Sequence, residues 1–483
     1  MRRLAPVLLI LFLTCSLAAC GRGPSSGGSD FDLAPTRYAI SASLIPEEKV
    51  LSVETEVTCS APTSDLAAVK LYLYGNVYRE GNVVVTEDKI AATYPHGKVD
   101  HGGAEVLEVT ADGAPASYDL GQGGTVLTLR LGRKYAKGEE IRLRIATRVT
   151  LANCRHRLGY ADGYYLLSDF YPVLCPFREG KYLVREYLPY GDPFLQDTAD
   201  FDLDLTIPVG YECAAGTFEQ RRERQGTTER RFYTFEGARD LALVCSQKLR
   251  YAQTEAGDTP IRYYYESDKN IRNTLAHVQS AMEEYVADFG AYPYPTYTVV
   301  TAPFFEAGVE HSGLAVVSSS LSETDRAMTI LHETAHQWWY GKVGNDGYLA
   351  PWMDEGLAEY AVALFYEHAG SKRAYRAKLS EAEDAFSIRY ALKGAEGVRF
   401  DLPLSELRDG YYDRVYCGGL LLFATVAERV GEERFLSALR RYAACFDGRV
   451  ASPKDMTDCL SEALGEDLSA LFSAWLTGGI PID

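Results

Sequence analysis

Two histidines four residues apart, with a glutamate directly after the first, occur at His332-Glu333-Thr334-Ala335-His336. They fall within residues 324–340, whose apolar spacing predicts a helix. On a helix, positions i and i+4 lie one turn apart on one face, so both imidazoles reach a single ion while Glu333 points beside them toward a water. A catalytic zinc takes three protein ligands and keeps one position open, so the chain must bring in another donor. Glu355 follows His336 by 19 positions, within Trp352-Met353-Asp354-Glu355-Gly356-Leu357-Ala358-Glu359-Tyr360. Between them, Gly341, Gly344, Asn345, Asp346, Gly347 and Pro351 supply the turn chemistry for a helix–loop–helix return. That return is what the motif demands of the fold. His332, His336 and Glu355 are the predicted ligands of one Zn2+ per chain, and Glu333 is the predicted base. Glu359, one turn beyond Glu355, is placed to accept from a ligating imidazole, although a solvated helix glutamate reads the same way. Such a set predicts hydrolysis of a peptide carbonyl, whose tetrahedral oxyanion then needs a hydrogen-bond donor.

The chain is 483 residues long, which at about 150 residues per domain implies two or three units. A net charge of −18 excludes nucleic-acid partners, because phosphate binding needs clustered Lys and Arg. At the start, Arg2 and Arg3 precede an apolar run over residues 4–13 and the small-residue site Leu17-Ala18-Ala19-Cys20. This reads as an export signal over residues 1–19; the apolar run is well short of the ~20 residues that cross a bilayer. Cysteine at the cleavage point resembles a bacterial lipobox. It predicts a diacylated Cys20 that holds the chain to a membrane face outside the cytoplasm. Residues 20–35, rich in Gly and Ser, form the predicted tether. Of ten cysteines, eight remain after Cys15 and Cys20 are set aside. They read equally as buried thiols or as disulfides, with no pairing to be deduced.

Residues 36–253 carry a β signal. Stretches 37–59, 104–110, 125–131, 140–151 and 201–207 alternate apolar and polar residues between Gly, Asp and Asn turns, predicting an antiparallel all-β saddle or sandwich. The polar stretch 253–260 breaks that pattern and marks the expected domain boundary. Residues 254–483 predict an α+β domain. Short strands are expected at 261–265 and 297–302, and helices at 271–289, 324–340, 354–369, 372–386, 418–430, 433–446 and 453–464.

HETAH followed by WMDEGLAEY at this separation resembles the gluzincin metallopeptidases of the aminopeptidase N family. Phe289-Gly290-Ala291-Tyr292-Pro293-Tyr294-Pro295, Arg37-Tyr38-Ala39-Ile40 and Leu471-Phe472-Ser473-Ala474-Trp475-Leu476 are similar to further segments of that family. The resemblance implies a thermolysin-like catalytic domain, peptide substrates and removal of amino-terminal residues. It also implies that Ala307-Gly308-Val309-Glu310-His311 stands where the family has Gly-x-Met-Glu-Asn, so that Glu310, with Gly308, meets the substrate's free amine. Ala307, Val309 and His311 depart from that motif, which keeps open a zinc peptidase without strict amino-terminal specificity. An inactive binding lipoprotein on the same fold is a further alternative. Tyr416, in Val415-Tyr416-Cys417-Gly418-Gly419, matches the family's oxyanion donor. The family's helical C-terminal domain has no counterpart here, from which a more open cleft is expected. The β domain's share of the specificity pocket is expected within residues 164–176.

Overall fold

The structure is a computed structural model that describes residues 33–479. The expected signal peptide, Cys20 and nearly all of the expected tether therefore lie outside the described residues. The alternation at 37–59 resolves into a hairpin, Thr36–Ile45 against Val50–Ser60, in which Tyr38, Ile40, Ala42 and Leu44 turn inward. Thr36–Ile45 also runs parallel to Ala199–Pro208, and Tyr38 stacks on Phe201 with ring centroids 4.9 Å apart. Around this pair an eight-stranded sheet forms in the order 219–225, 228–238, 199–208, 36–45, 50–60, 140–150, 103–111 and 114–115. Its other pairings are antiparallel. Two four-stranded sheets, one of Glu212–Ala215, Ala242–Ser246, Tyr164–Ser168 and Leu158–Ala161, and the short pair Phe177–Arg178 with Lys181–Tyr182 complete the β half. The eight cysteines among the described residues are free thiols, with the Sγ atoms of Cys213 and Cys245 2.7 Å apart on neighbouring strands.

The polar stretch expected to divide the halves is itself a hairpin. Arg250–Ala256 pairs with Thr259–Tyr265 across a turn at Gly257, and both join the next sheet. Sheet membership changes between Ser246 and Arg250 instead. Polar residues mislead here because Arg250–Ala256 is an edge strand that is largely solvent-facing. The second sheet has the order 250–256, 259–265, 297–302, 314–318 and 308–311, which leaves Gly308–His311 at the other edge.

Ile271–Phe289 and Glu323–Ala335 pack against this sheet, and Trp352–His368, Lys372–Val398, Gly418–Val430, Glu432–Cys445, Pro453–Leu464 and Ser469–Leu476 pack in turn on those helices and on one another. Glu323–Ala335 stops short of Tyr340 because the chain leaves the i→i−4 pattern there: the Gln337 and Trp338 N–H groups bond three residues back, and the Gly341 N–H donates five residues back to the His336 carbonyl at 2.9 Å. Trp338 and Trp339 are thereby buried, Trp339 against Phe289 at 5.0 Å. Lys372–Val398 outruns its expected end and breaks only at Gly394 (φ 68°). Trp352–His368 and Gly418–Val430 touch backbone to backbone, since a Cβ on Gly356 would stand 2.7 Å from the Gly419 Cα. No side chain fits there, and the contact sets Glu355 beside the π-helical turn Tyr412–Cys417. Among the described residues no helix is long and apolar enough to cross a membrane.

Candidate metal centre

Ser322 caps the motif helix by accepting from the Asp325 N–H at 3.1 Å, and Glu323 and Asp325 complement its N-terminus. The helix delivers His332, Glu333 and His336 into the interior, where the loop return brings Glu355 from Trp352–His368. The Nε2 atoms of His332 and His336 are 3.0 Å apart, and Glu355 Oε2 lies 3.1 Å from the first and 3.4 Å from the second. Each ring is held from behind. His336 Nδ1 is 2.9 Å from the Trp339 carbonyl, which fixes its proton there, and His332 Nδ1 is 2.9 Å from Glu359 Oε1. Lys378 pairs with the same Glu359.

Two imidazole lone pairs and a carboxylate oxygen thus meet at hydrogen-bonding distance, and such a trio repels itself unless a cation stands among them. Two nitrogens and one oxygen, oriented by a carboxylate and a carbonyl behind the rings, fit zinc. Without a metal, protons fill the role. Burial opposes a charged His332, but its bonds to Glu355 and Glu359 hold its pKa well above the usual value. His336 is likewise opposed by burial, yet Glu310 and Glu355 push it up to about 10. Burial would raise Glu355, but the two histidines hold it well below the carboxylate range. Glu359, also against burial, is held at about 2 by His332 and Lys378.

Glu333 lies beside the cluster, buried, with Oε2 lacking any hydrogen-bond partner. Burial pushes its pKa up to about 8, against the pull of His332. Gly308 passes directly over it, where a Cβ would stand 2.4 Å from Glu333 Oε1 and 2.7 Å from Thr329 Cγ2. Tyr416 donates to Glu355 Oε1 at 2.6 Å and stacks on His332 with centroids 5.9 Å apart. Burial and the charge of Glu355 keep its phenol protonated. All the sequence-predicted residues among the described ones therefore meet in one place: His332, Glu333, His336, Glu355, Gly308, Glu310 and Tyr416. Cys20 lies outside the described residues.

Glu310 is buried on the edge strand Gly308–His311, with its carboxylate, that of Glu333 and the His336 ring offering atoms within 4.8 Å of one another. It opens into a chamber between the halves lined also by Arg157, Asp169, Gln196, Asp240 and Asp354. Residues 164–176 do reach this chamber, through Asp169. His311, the departure from the family motif, faces away from the metal cluster: Nδ1 pairs with Asp240 and Nε2 lies 3.0 Å from Ser168 Oγ. It anchors the edge strand to the β half. Arg239 spans the same joint, donating to the carbonyls of Tyr340 and Gln196, each at 2.8 Å. Asp169 accepts from Gln196 at 2.7 Å, and burial with the nearby Asp240 charge raises its pKa to about 6. Asp354 is pushed up to about 8 by burial and by Glu355. The sequence pointed to Asp354 only as a neighbour of Glu355. Lys378, Arg157, Asp169, Gln196 and Asp240 carry no local signal, since each meets the site across a long chain separation.

Residues 273–475 match the peptidase family M1 domain, a span that includes Gly308, Glu310, His332, Glu333, His336, Glu355 and Tyr416. Aminopeptidase M1-B from Oryza sativa subsp. japonica is 26% identical over 234 residues, covering 45% of this chain and 27% of that protein. Aminopeptidase N from Streptomyces lividans is 27% identical over 207 residues, covering 40% of this chain and 24% of that protein. The chain spans less than half the length of the first curated relatives it matches. An M1 zinc metallopeptidase from Deinococcus radiodurans has the same fold, with a TM-score of 0.68 at 19% identity, over 92% of this chain and 94% of that one. A mutant of that protein bound to a Tyr-Ser-Ala substrate superposes with a TM-score of 0.67 at 19% identity, over 92% and 95% of the two chains. Residues 273–475 thus carry a peptidase family M1 domain, and the chain is similar there to aminopeptidase N and related aminopeptidases.

Proposed function

We propose that the protein is a zinc-dependent aminopeptidase that removes amino-terminal residues from peptides. The observation that carries this reading is the convergence of His332, His336 and Glu355 within 3.0–3.4 Å, with the unpartnered Glu333 carboxylate at their side. Those three side chains would hold the ion. When bound, zinc supplies a Lewis acid that acidifies water and polarises a peptide carbonyl. Glu333 takes the proton from the attacking water and returns it to the departing amine. Tyr416 gives its phenolic proton as a hydrogen bond to the developing oxyanion. Glu310 meets the substrate ammonium, and the acidic chamber around it closes the cleft beyond the first residue, which favours a free amino terminus. Gly308 leaves room for the Glu333 carboxylate. The lipobox-like Leu17-Ala18-Ala19-Cys20 supports a location outside the cytoplasm, with Cys20 acylated and the catalytic domain tethered to a membrane face.

Purified residues 31–483 should bind zinc and cleave free aminoacyl reporters at least tenfold faster than their N-acetylated forms. Equal rates on both would replace the aminopeptidase reading with that of a zinc peptidase indifferent to the free amine. Absence of both zinc and cleavage would favour a binding protein. Glu310→Gln should shrink the ratio by raising KM for the free amine. For the tether, Cys20→Ala should abolish fatty-acid labelling of the full-length chain in cells; retained label would refute the anchor.

A further inference from the structure

A second set of nitrogen and oxygen donors converges at the other end of the helix that carries Glu355. His368 is the last residue of Trp352–His368. Glu284 and Asp288 stand one turn apart near the end of Ile271–Phe289, and Glu432 opens Glu432–Cys445. His368 Nδ1 hydrogen-bonds to Glu284 and lies 3.5 Å from Asp288 Oδ2. The ligand-capable atoms of Glu284, Asp288 and His368 all lie within 4.8 Å of one another. On the far side of the ring, Nε2 is 3.1 Å from Glu432 Oε1, the carboxylate-behind-imidazole arrangement that orients a metal-binding histidine.

Asp288 separates this cluster from an ordinary ion pair. It is only 5% exposed, and its Oδ2, turned toward the cluster, has no hydrogen-bond partner. A buried carboxylate oxygen without a donor is costly, and Nδ1 has a single proton, already directed at Glu284. Three carboxylates surround one imidazole, and the nearby Arg440 guanidinium donates to the backbone carbonyls of Ala287 and Asp288, leaving the Asp288 Oδ2 without a donor. Two helices, Ile271–Phe289 and Trp352–His368, also aim the negative ends of their dipoles at this point. One cation would satisfy all of these groups. His368 is 13 positions from Glu355 along the helix, about 20 Å at 1.5 Å per residue, so the two clusters do not share an ion.

We propose that Glu284, Asp288 and His368 form a second divalent-metal site, which clamps the ends of the two helices and which Glu432 orients through the His368 ring. An imidazole between two carboxylates suits Zn2+ or a similar transition ion, whereas Ca2+ prefers six to eight oxygens. Partial exposure of Glu284 and His368 leaves space for water to complete the coordination.

The test is a metal count on the chelator-stripped protein titrated with Zn2+ alone. The native chain should bind two equivalents, and His368→Ala and the Glu284→Gln/Asp288→Asn double variant one each. The double variant guards against a folding defect in the first, with circular dichroism as the check on both. His332→Ala/His336→Ala should still bind one equivalent, which separates this proposal from the peptidase reading. Zn2+, and not millimolar Ca2+, should raise the Tm of that variant. A native chain holding one equivalent, two equivalents retained in either site variant, or none in the histidine double variant would overturn the proposal.

Discussion

The β half and the helical half both line the chamber around Glu310, yet they contribute different things to it. Every donor to the metal cluster, and the base and phenol beside it, come from the helical half, packed within one core. The β half adds Asp169, Arg157, Gln196 and Asp240, none of which touches the cluster, and its Ser168 and Asp240 spend their hydrogen bonds on holding the edge strand in place. On the proposed reading, the reaction chemistry is confined to the helical half, whereas the shape of the chamber around Glu310 depends on how the two halves meet. Substitutions in the two halves should therefore separate into losses of turnover and losses of positioning or stability.

The largest effect expected of this division is that of Glu333→Gln. It removes the base and spares the ligands, so kcat should fall by about 10²–10⁴ with zinc content and Tm unchanged. Loss of zinc in this variant would contradict the assignment and blur the separation. Next is Tyr416→Phe, which deletes one oxyanion donor and should lower kcat by about 10²–10³ with little change in KM. A KM effect alone would move Tyr416 from transition-state stabilisation to ground-state binding.

That second variant also marks where the sequence stopped being informative. His332, Glu333, His336 and Glu355 were legible because helix periodicity and a turn-rich loop force them together, a matter of local geometry. Tyr416 was not: it sits on a π-helical turn with no sequence signature, in a chain with 34 tyrosines, and only family resemblance selected it. Asp169 was covered only by the expected span 164–176, and Asp240 escaped altogether because its partner His311 is 71 residues distant. Residues 253–260 misled for the opposite reason, since an exposed edge hairpin has the composition of a loop. Strand alternation at 37–59 and the helix limits at 271–289, 418–430 and 453–464 came through intact, because burial of one face dictates both.

A smaller loss is expected where the halves meet. Gly308→Ala would set a Cβ 2.4 Å from Glu333 Oε1, so the carboxylate must yield by roughly an ångström, a displacement of the kind that costs about 10² in rate. The side chain can move, so stability should change little. If Tm falls steeply instead, the strand and not the carboxylate has given way, and the joint is softer than its hydrogen bonds to Asp240 imply.

The smallest effect belongs to the β half alone. His156 is 4% exposed, with Nδ1 2.6 Å from the Tyr78 hydroxyl and its ring stacked on Phe305 at 4.7 Å. Burial, aided by Arg157, lowers its pKa to about 3. Between about pH 6.5 and 3 the unfolded chain therefore binds a proton that the folded chain refuses, and stability falls as pH falls, by at most about 1.4 kcal/mol per pH unit. Asp169 works the other way: its pKa, raised to about 6, lets the folded chain hold a proton that the unfolded chain has lost, so stability falls as pH rises from about 4 to 6. Within that window the two slopes oppose each other, and the native profile alone hides both. His156→Gln keeps a partner for Tyr78 and removes the titration. Subtracting its unfolding free energy from that of the native chain, by denaturant titration at successive pH values, should recover a one-proton slope below pH 6.5. Because His156 touches no metal ligand, kcat should not follow that slope. If it does, the β half reaches into the chemistry and the division between the two bodies fails.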